Sequence, residues 1–345
     1  MNSHNGQAAA TTQLPSPTTA RRAQLIPRTA IAAIAAAAAC LSTGGAWAQR
    51  ATESAPGQVK KSNHDVYYNV CRGTSPECLA QNNGWPAMSA SQKTRVLIYS
   101  RTAGPRHAVL GTAPLPGAGL NPPFAANNTM QSKLTEWLAA EGITADWTED
   151  PGRFSLGNYG AVILASGNRD NLWDIAQTSP TTPMTNLRQA MRRGLGVVAI
   201  HNAFGANYNW PYYEGLLGNA NFYDHGPNRP GTVNTLAADP TTAGLPATWA
   251  FVDEWYNLTP FPTNVKFLLS TSVAGGGTGA ATVRDFHPVA WCQYYDGGRV
   301  VATTLGHNTD SFNGTGSNSA GAAEFKKFIV ASVKSALGLT DFCTN

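Results

Sequence analysis

Five of the chain's seven histidines, His107, His201, His225, His287 and His307, fall at the ends of apolar runs or in turn-rich segments. A neutral imidazole can take a proton, hold a metal or assist an oxyanion, so histidines gathered at such exits are candidates for general-base or metal chemistry. The sharpest case is "VVAIHNAFG" (197–205), an apolar run that stops at His201 and turns. Strand, tight turn and helix is the geometry that lifts a nucleophile out of an α/β sheet. Here the elbow holds His201 followed by Asn202, with neither Ser nor Cys in that slot. His307 closes "VVATTLGH" in the same way, and Asp310 beyond it either orients the ring or caps the next turn. His287 precedes Pro288, which fixes an extended strand entry and equally suits a structural edge. The competing reading for each histidine is a separately hydrogen-bonded structural residue.

Carboxylates supply the other half of acid–base chemistry. Asp253 and Glu254 lie in "VDEWYNL" beside Trp255 and Tyr256, with Trp249 upstream. Aromatic faces stack on sugar rings, and a Glu in a low-dielectric pocket has a raised pKa suited to acid catalysis. A conventional glycosidase needs two carboxylates at a set separation, which sequence does not supply. The alternative is an aromatic core with a solvated acid on its rim.

The elements that would position these groups alternate between strand and helix. "RVLIYS" (95–100), "ITADWTED" (143–150), "YGAVILAS" (159–166) and "GVVAIH" (196–201) read as short buried strands. Between them "NNTMQSKLTEWLAAEG" and "TNLRQAMRRG" carry apolar residues at helical spacing, the first ending at Gly142. Such alternation predicts an α/β fold, a mainly parallel sheet with helices on both faces. Strand exits on one side of such a sheet converge, so several histidines could share a crevice. After Trp210 the order is less regular. "NVKFLLS" (264–270), "HPVAWCQYY" (287–295) and "RVVATTLGH" (299–307) read as strands, the last two joined as a hairpin through Asp296-Gly297-Gly298. A final helix carries Phe325, Phe328, Ile329 and Val333. Two glycine-rich stretches, 274–281 and 313–321, lack the lysine of a phosphate loop, so no nucleotide cofactor is expected.

Residues 1–48 read as a secretory signal: Arg21, Arg22 and Arg28 precede an apolar run (29–41) and an Ala46-Trp47-Ala48 cleavage site. The Arg21-Arg22 pair also fits a twin-arginine signal, which exports folded protein. The expected product is periplasmic or secreted, with no membrane segment after cleavage. The leader holds three arginines and no acid, so its loss takes the formal net charge from +4 to +1. That leaves no electrostatic footprint for nucleic acid. A charged fraction of only 13% means a surface made polar by Asn, Thr, Ser and Gly, which suits a sugar-like ligand. Four cysteines remain, and three pairings are open to them. The favoured pairing is Cys71–Cys78, closing a short loop, with Cys292–Cys343 stapling the tail. The expected organisation is an extension over 49–94, one domain over 95–338 and a tail over 339–345.

Several linked segments resemble one known family. "RTAGPRH" (101–107), "GLGVVAIHNA" (194–203), "WPYYEGLLGNANFYDH" (210–225), "GLPATWAFVDEWYNL" (244–258) and "HPVAWCQYYDGGRVVATTLGH" (287–307) are similar, in content and order, to the ThuA-like, or trehalose-utilisation, family. The resemblance implies a flavodoxin-like fold akin to class I glutamine amidotransferases, with histidine where those enzymes carry the nucleophilic cysteine. Amidotransferase activity is therefore not expected. It further implies an enzyme of sugar metabolism, a hydrolase or lyase acting on glycosides or 3-keto-glycosides. A C3 ketone acidifies the C2 proton, so a base could expel the C1 substituent without a carboxylate pair.

The residues expected to carry that reaction are His201, His307 and Glu254. His107, Trp210, Tyr213, His225, Trp255 and Asn202 are expected to contact the sugar. His107, His201, His225 and His307 form the candidate ligand set for a divalent cation, Zn or Mn, which would polarise the ketone. A non-catalytic glycan-binding protein on the same fold is the alternative. The chain departs from the family pattern at Pro105, at Asn202 and in a long Pro/Gly-rich insertion after His107.

Overall fold

The computed structural model describes residues 70–79, 87–173, 183–273 and 286–344, together with the backbone of His64–Asp65. The leader and the glycine-rich stretch 274–281 lie outside the described residues. In chain order the strands are β1 (His64–Asp65), β2 (Val70–Gly73), β3 (Arg95–Tyr99), β4 (Thr144–Thr148), β5 (Ala161–Ala165), β6 (Gly196–Ile200), β7 (Phe222–His225), β8 (Arg229–Thr235), β9 (Thr248–Asp253), β10 (Tyr256–Leu258), β11 (Lys266–Thr271), β12 (His287–Tyr295) and β13 (Gly298–Thr303). The helices are α1 (Thr129–Ala139), α2 (Pro183–Arg192), α3 (Pro211–Leu216), α4 (Thr309–Asn313) and α5 (Ala322–Ala336).

The main sheet runs β4-β3-β5-β6-β13-β12-β11-β8-β9. From β4 to β13 every pairing is parallel. From β13 to β9 every pairing is antiparallel, beginning with the expected β12–β13 hairpin. The parallel half therefore matches the flavodoxin-like expectation, and an antiparallel half extends it. β8 and β9 were not anticipated from sequence; β8, "RPGTVNT", is half exposed and carries Pro230-Gly231 near its start, which obscures its strand character.

Alternation along each parallel strand feeds two cores. Val96, Ile98, Ile163, Val198 and Ile200 pack with Leu134 and Trp137 of α1 and Phe325, Phe328 and Val333 of α5. Leu97, Tyr99, Val162, Leu164, Val197 and Ala199 face the other way, onto Leu187 and Met191 of α2 and Tyr212 and Leu216 of α3. Because both faces are covered, these strands are apolar throughout and not alternating, as buried parallel strands must be. Helices thus lie on both faces.

Both disulfides join the expected partners, Cys71–Cys78 and Cys292–Cys343. The first sits beside β2, which adds to the sheet by pairing with the end of β12. Among the described residues no helix is long and apolar enough to cross a membrane.

Candidate functional site

The parallel register decides where the polar residues after each strand meet. β6 and β13 are neighbours with Ile200 opposite Thr303, so the next residues, His201 and Thr304, leave the sheet side by side. His201 has φ 49°, a left-handed conformation uncommon for a residue with a side chain, and begins a 3₁₀ turn over His201–Gly205. Its Nδ1 donates to the Thr304 carbonyl at 2.8 Å. That bond fixes the tautomer, leaving Nε2 as the acceptor, and the Tyr256 hydroxyl lies 2.9 Å from it. His201 is fully buried.

His307 follows β13 through Gly306, whose φ of 115° favours glycine and where a Cβ would come within 3.0 Å of Ile200 Cγ2. Its ring stacks on His201 at 5.2 Å, interplanar angle 8°. His107 arrives from the loop after β3 and sits edge-on to both, at 4.9 Å from His201 and 5.3 Å from His307. Its strap is held by Arg106, which donates to both Glu149 oxygens at 2.8 Å and to the Leu110 and Gly111 carbonyls. His225 comes from a separate two-stranded ribbon in which β7 pairs with β10, placing it opposite Tyr256.

Glu254 joins these pieces. Its carboxylate lies 3.4 Å from His307 Nδ1, 3.6 Å from His225 Nε2 and 3.8 Å from His201 Nε2. It follows β9, the far edge strand, and is brought back to the β13 exit by its neighbour Asp253. The buried Asp253 carboxylate accepts main-chain N–H bonds from Glu254 (2.9 Å), Gly306 (2.7 Å) and His307 (3.2 Å). One side chain thereby ties the Glu254 turn to the His307 turn. Burial pushes the Asp253 carboxyl up to about 7 against the pull of those three donors.

Desolvation governs the electrostatics. Burial, then repulsion from His225, holds His107 down to about 4; burial, then His107 and His225, does the same to His307. Burial and the neighbouring His107 and His307 hold His201 well below the usual imidazole range. These three rings are therefore neutral near pH 7, each with one lone-pair nitrogen, that of His201 facing the Tyr256 hydroxyl. Burial raises Glu254, opposed by His225.

The donor set suits a divalent cation. His107, His201 and Glu254 each place a ligating atom within 4.8 Å of the others. The buried Nδ1 atoms of His107 and His307 make no hydrogen bond, and the His201 Nδ1 bond to a carbonyl is the support that metal-bound histidines require. His225 belongs to the cluster through Glu254 but is not among the three whose donors converge.

Of the residues expected to act, the structure brings together His107, His201, His225, His307 and Glu254. Asn202 is buried behind the elbow with its amide nitrogen unpaired. Trp210, Tyr213 and Trp255 correct the expectation of sugar contacts. Trp210 stacks on Tyr212 and Tyr213 inside the core, the Tyr213 hydroxyl donates to Ala203, and Trp255, 1% exposed, donates to the Arg229 carbonyl. Rings buried to this degree present no open face to a ligand. Asp310 resolves toward the capping alternative, accepting from Ser317 and Thr315 and not from His307. His287 lies at the start of β12, paired with Thr271. Sequence reasoning missed Tyr256 and the bracing role of Asp253, although both stand beside Glu254 in the segment singled out. An open cleft of about 420 Å³ runs along α5 between Lys326, Lys334 and Pro240 and holds none of these groups.

A family model described as ThuA, trehalose utilisation, matches residues 95–319. No curated protein matches the sequence at a significant level. Among solved structures, the fold is similar to a ThuA-like protein from Bacteroides uniformis, at 20% identity and TM-score 0.50 over 73% of this chain and 96% of that one. A ThuA-like protein from Parabacteroides merdae aligns at 15% identity and TM-score 0.47, covering 70% and 89%.

Proposed function

Because this chain belongs to the ThuA, or trehalose-utilisation, family, we propose that the histidine crevice processes an oxidised sugar, cleaving the C1–O bond of a 3-keto-glycoside. The observation that carries the reading is one carboxylate, Glu254, within 3.8 Å of three imidazoles from separate elements.

The accessible base is His307, whose side chain keeps 23% exposure, while His201 below it has none. Glu254 Oε1, 3.4 Å from His307 Nδ1, would accept a hydrogen bond from it once substrate is in place and so orient the ring. In the proposed step His307 takes the C2 proton, the electron pair forms a C1=C2 bond, and the C1–O bond breaks. The imidazolium then returns the proton to the departing oxygen, so the products are an unsaturated keto sugar and a free alcohol. Addition of water to that double bond would complete a net hydrolysis. His201, locked by Thr304 and Tyr256, forms the floor against which the ring rests. A divalent cation, Zn or Mn, held by His107, His201 and Glu254 would polarise the C3 ketone as a Lewis acid. Export of the folded protein through the leader, twin-arginine or otherwise, belongs to the same proposal and agrees with two disulfides.

The test is to incubate the protein with 3-keto-glucosides and with unoxidised disaccharides, with and without added divalent cation, and to follow aglycone release. Release from the keto-glycosides alone, lost in His307→Ala with sugar affinity retained, is the expected result. Affinity without turnover under every condition would overturn the enzyme in favour of a glycan-binding protein.

A further inference from the structure

The segment after β5 is held in a conformation that side chains resist. Ser166 has φ 50° and Arg169 φ 57°, and on the adjoining β6 exit His201 has φ 49° and Asn207 φ 51°. Left-handed backbone at residues other than glycine is costly and persists only where the surroundings over-determine it, most often at functional sites. Here main-chain bonds do so. Ser166 N–H donates to the Ile200 carbonyl (3.1 Å), Arg169 N–H to Gly205 (2.9 Å) and Asn207 N–H to Arg169 (2.9 Å), so the segment lies along the His201–Gly205 turn. On its other flank Ala103 N–H donates to the Asn168 carbonyl at 2.9 Å, and a Cβ on Gly104 would stand 2.4 Å from Arg169 Cγ. The Arg169 stem therefore lies between the His201 turn and the strap that carries His107.

Its charge is unspent. The arginines of neighbouring elements are committed, Arg95 to Asp146, Arg106 to Glu149, and Arg101 to the Asn171 and Trp173 carbonyls. Arg169 is exposed, and among the described residues its guanidinium meets no acceptor. It stands instead over the Tyr208 ring, 6.0 Å from the centroid. Tyr208 is in turn close enough to Tyr256, the partner of His201, for its charge to oppose ionisation there. A pinned, unpaired guanidinium beside neutral imidazoles is a receptor for an anion, and its planar fork matches the two oxygens of a carboxylate.

The sheet sets the scale. β6 lies between β5 and β13, so Arg169 and His307 flank His201 from opposite sides. Two strand spacings put those exits about 10 Å apart, and a hydrogen bond of about 3 Å at each end leaves about 4 Å between them. That is the span of a single pyranose from C2 to the exocyclic C6.

We propose that Arg169 binds a carboxylate at the exocyclic carbon of the reacting sugar, so that the substrate is a glycoside of an acidic sugar. The proposal rests on the reading of the crevice given above and adds a charge to its substrate. Arg169 takes no part in bond breaking, and Tyr208 is the residue that positions it.

The experiment measures binding by calorimetry in the His307→Ala background, where turnover does not interfere. The probes are methyl 3-keto-glucoside and its analogue oxidised to a carboxylate at C6. The carboxylate sugar is expected to bind about 10-fold more tightly or better, with the preference shrinking as sodium chloride is added. Arg169→Gln, which removes the charge at an exposed position, is expected to bring the two affinities together, and the neutral sugar reports that the crevice is still folded. Equal affinities before that substitution, or a preference that survives it, would overturn the carboxylate site while leaving the crevice reading intact. Absence of binding by both sugars would overturn the crevice reading and the carboxylate site with it.

Discussion

Two polar clusters sit on the same parallel sheet and are built on opposite rules. At the outer edge, Asp146 of β4 accepts from Arg95 (2.9 Å), Tyr159 (2.9 Å) and Asn121 (2.6 Å), so both carboxylate oxygens are satisfied. Around the β6 and β13 exits, His107 Nδ1, His307 Nδ1 and Asn202 Nδ2 are buried without a hydrogen bond. Folding gains from the first arrangement and is charged for the second, since an unpaired buried polar group costs about 1–3 kcal/mol. A crowd of such groups persists where a ligand supplies the missing partners. The Asp146 cluster is thus a structural tie, whereas the histidine cluster, on the function proposed above, is a site held ready at the expense of stability.

Substitutions can break that contrast. The largest loss is expected from Asp253→Ala, which strands three main-chain donors, one buried and two part-buried, and frees the Glu254 turn from the His307 turn. A stability loss of about 3–5 kcal/mol should appear as a lower midpoint in urea unfolding, together with loss of activity. Glu254→Gln keeps the shape and removes the charge. Aglycone release should fall about 100-fold or more, the range for a lost acid–base partner, with the thermal midpoint nearly unchanged.

Asp146→Asn should do the reverse, lowering stability by about 1–2 kcal/mol without touching turnover. Its dependence on pH has a definite sign. Burial alone would raise the Asp146 carboxyl, but hydrogen bonds from Asn121, Arg95 and Tyr159 outweigh it and hold the group below its ordinary 3.8. The stabilisation is therefore complete above pH 3.8 and is lost as pH falls through the lower folded value. Urea unfolding of wild type and Asp146→Asn should differ at pH 6 and converge in stronger acid. Smallest of all, Lys133→Ala removes the exposed pair with Glu136 on α1 and should cost only a few tenths of a kcal/mol, measured the same way.

What sequence could and could not reveal divides along similar lines. β3, β5 and β6 were legible because a strand buried on both faces must be apolar at every position, and α1 and α5 because one helical face must be. The histidines were legible as strand-end residues, since a parallel sheet aligns its exits. Their grouping with Glu254 was expected, but the route to it was not legible, because it depends on the antiparallel half returning its edge strand to the β13 exit through Asp253, a contact between residues 53 apart in sequence. Trp210, Tyr213 and Trp255 misled for a related reason. An aromatic residue near a carboxylate looks the same in sequence whether its face is open or packed, and here the packing is complete.

The central claim is that Glu254 and His307 act as one unit on substrate, and a double-mutant cycle measures it directly. Aglycone release from a 3-keto-glucoside would be compared for wild type, Glu254→Gln, His307→Ala and the double variant, each confirmed folded by circular dichroism. Residues that work as a unit give losses that do not add, so the double variant is predicted to be no slower than the worse single one. Losses that multiply would show two independent contributions. Full activity in either single variant would contradict the account.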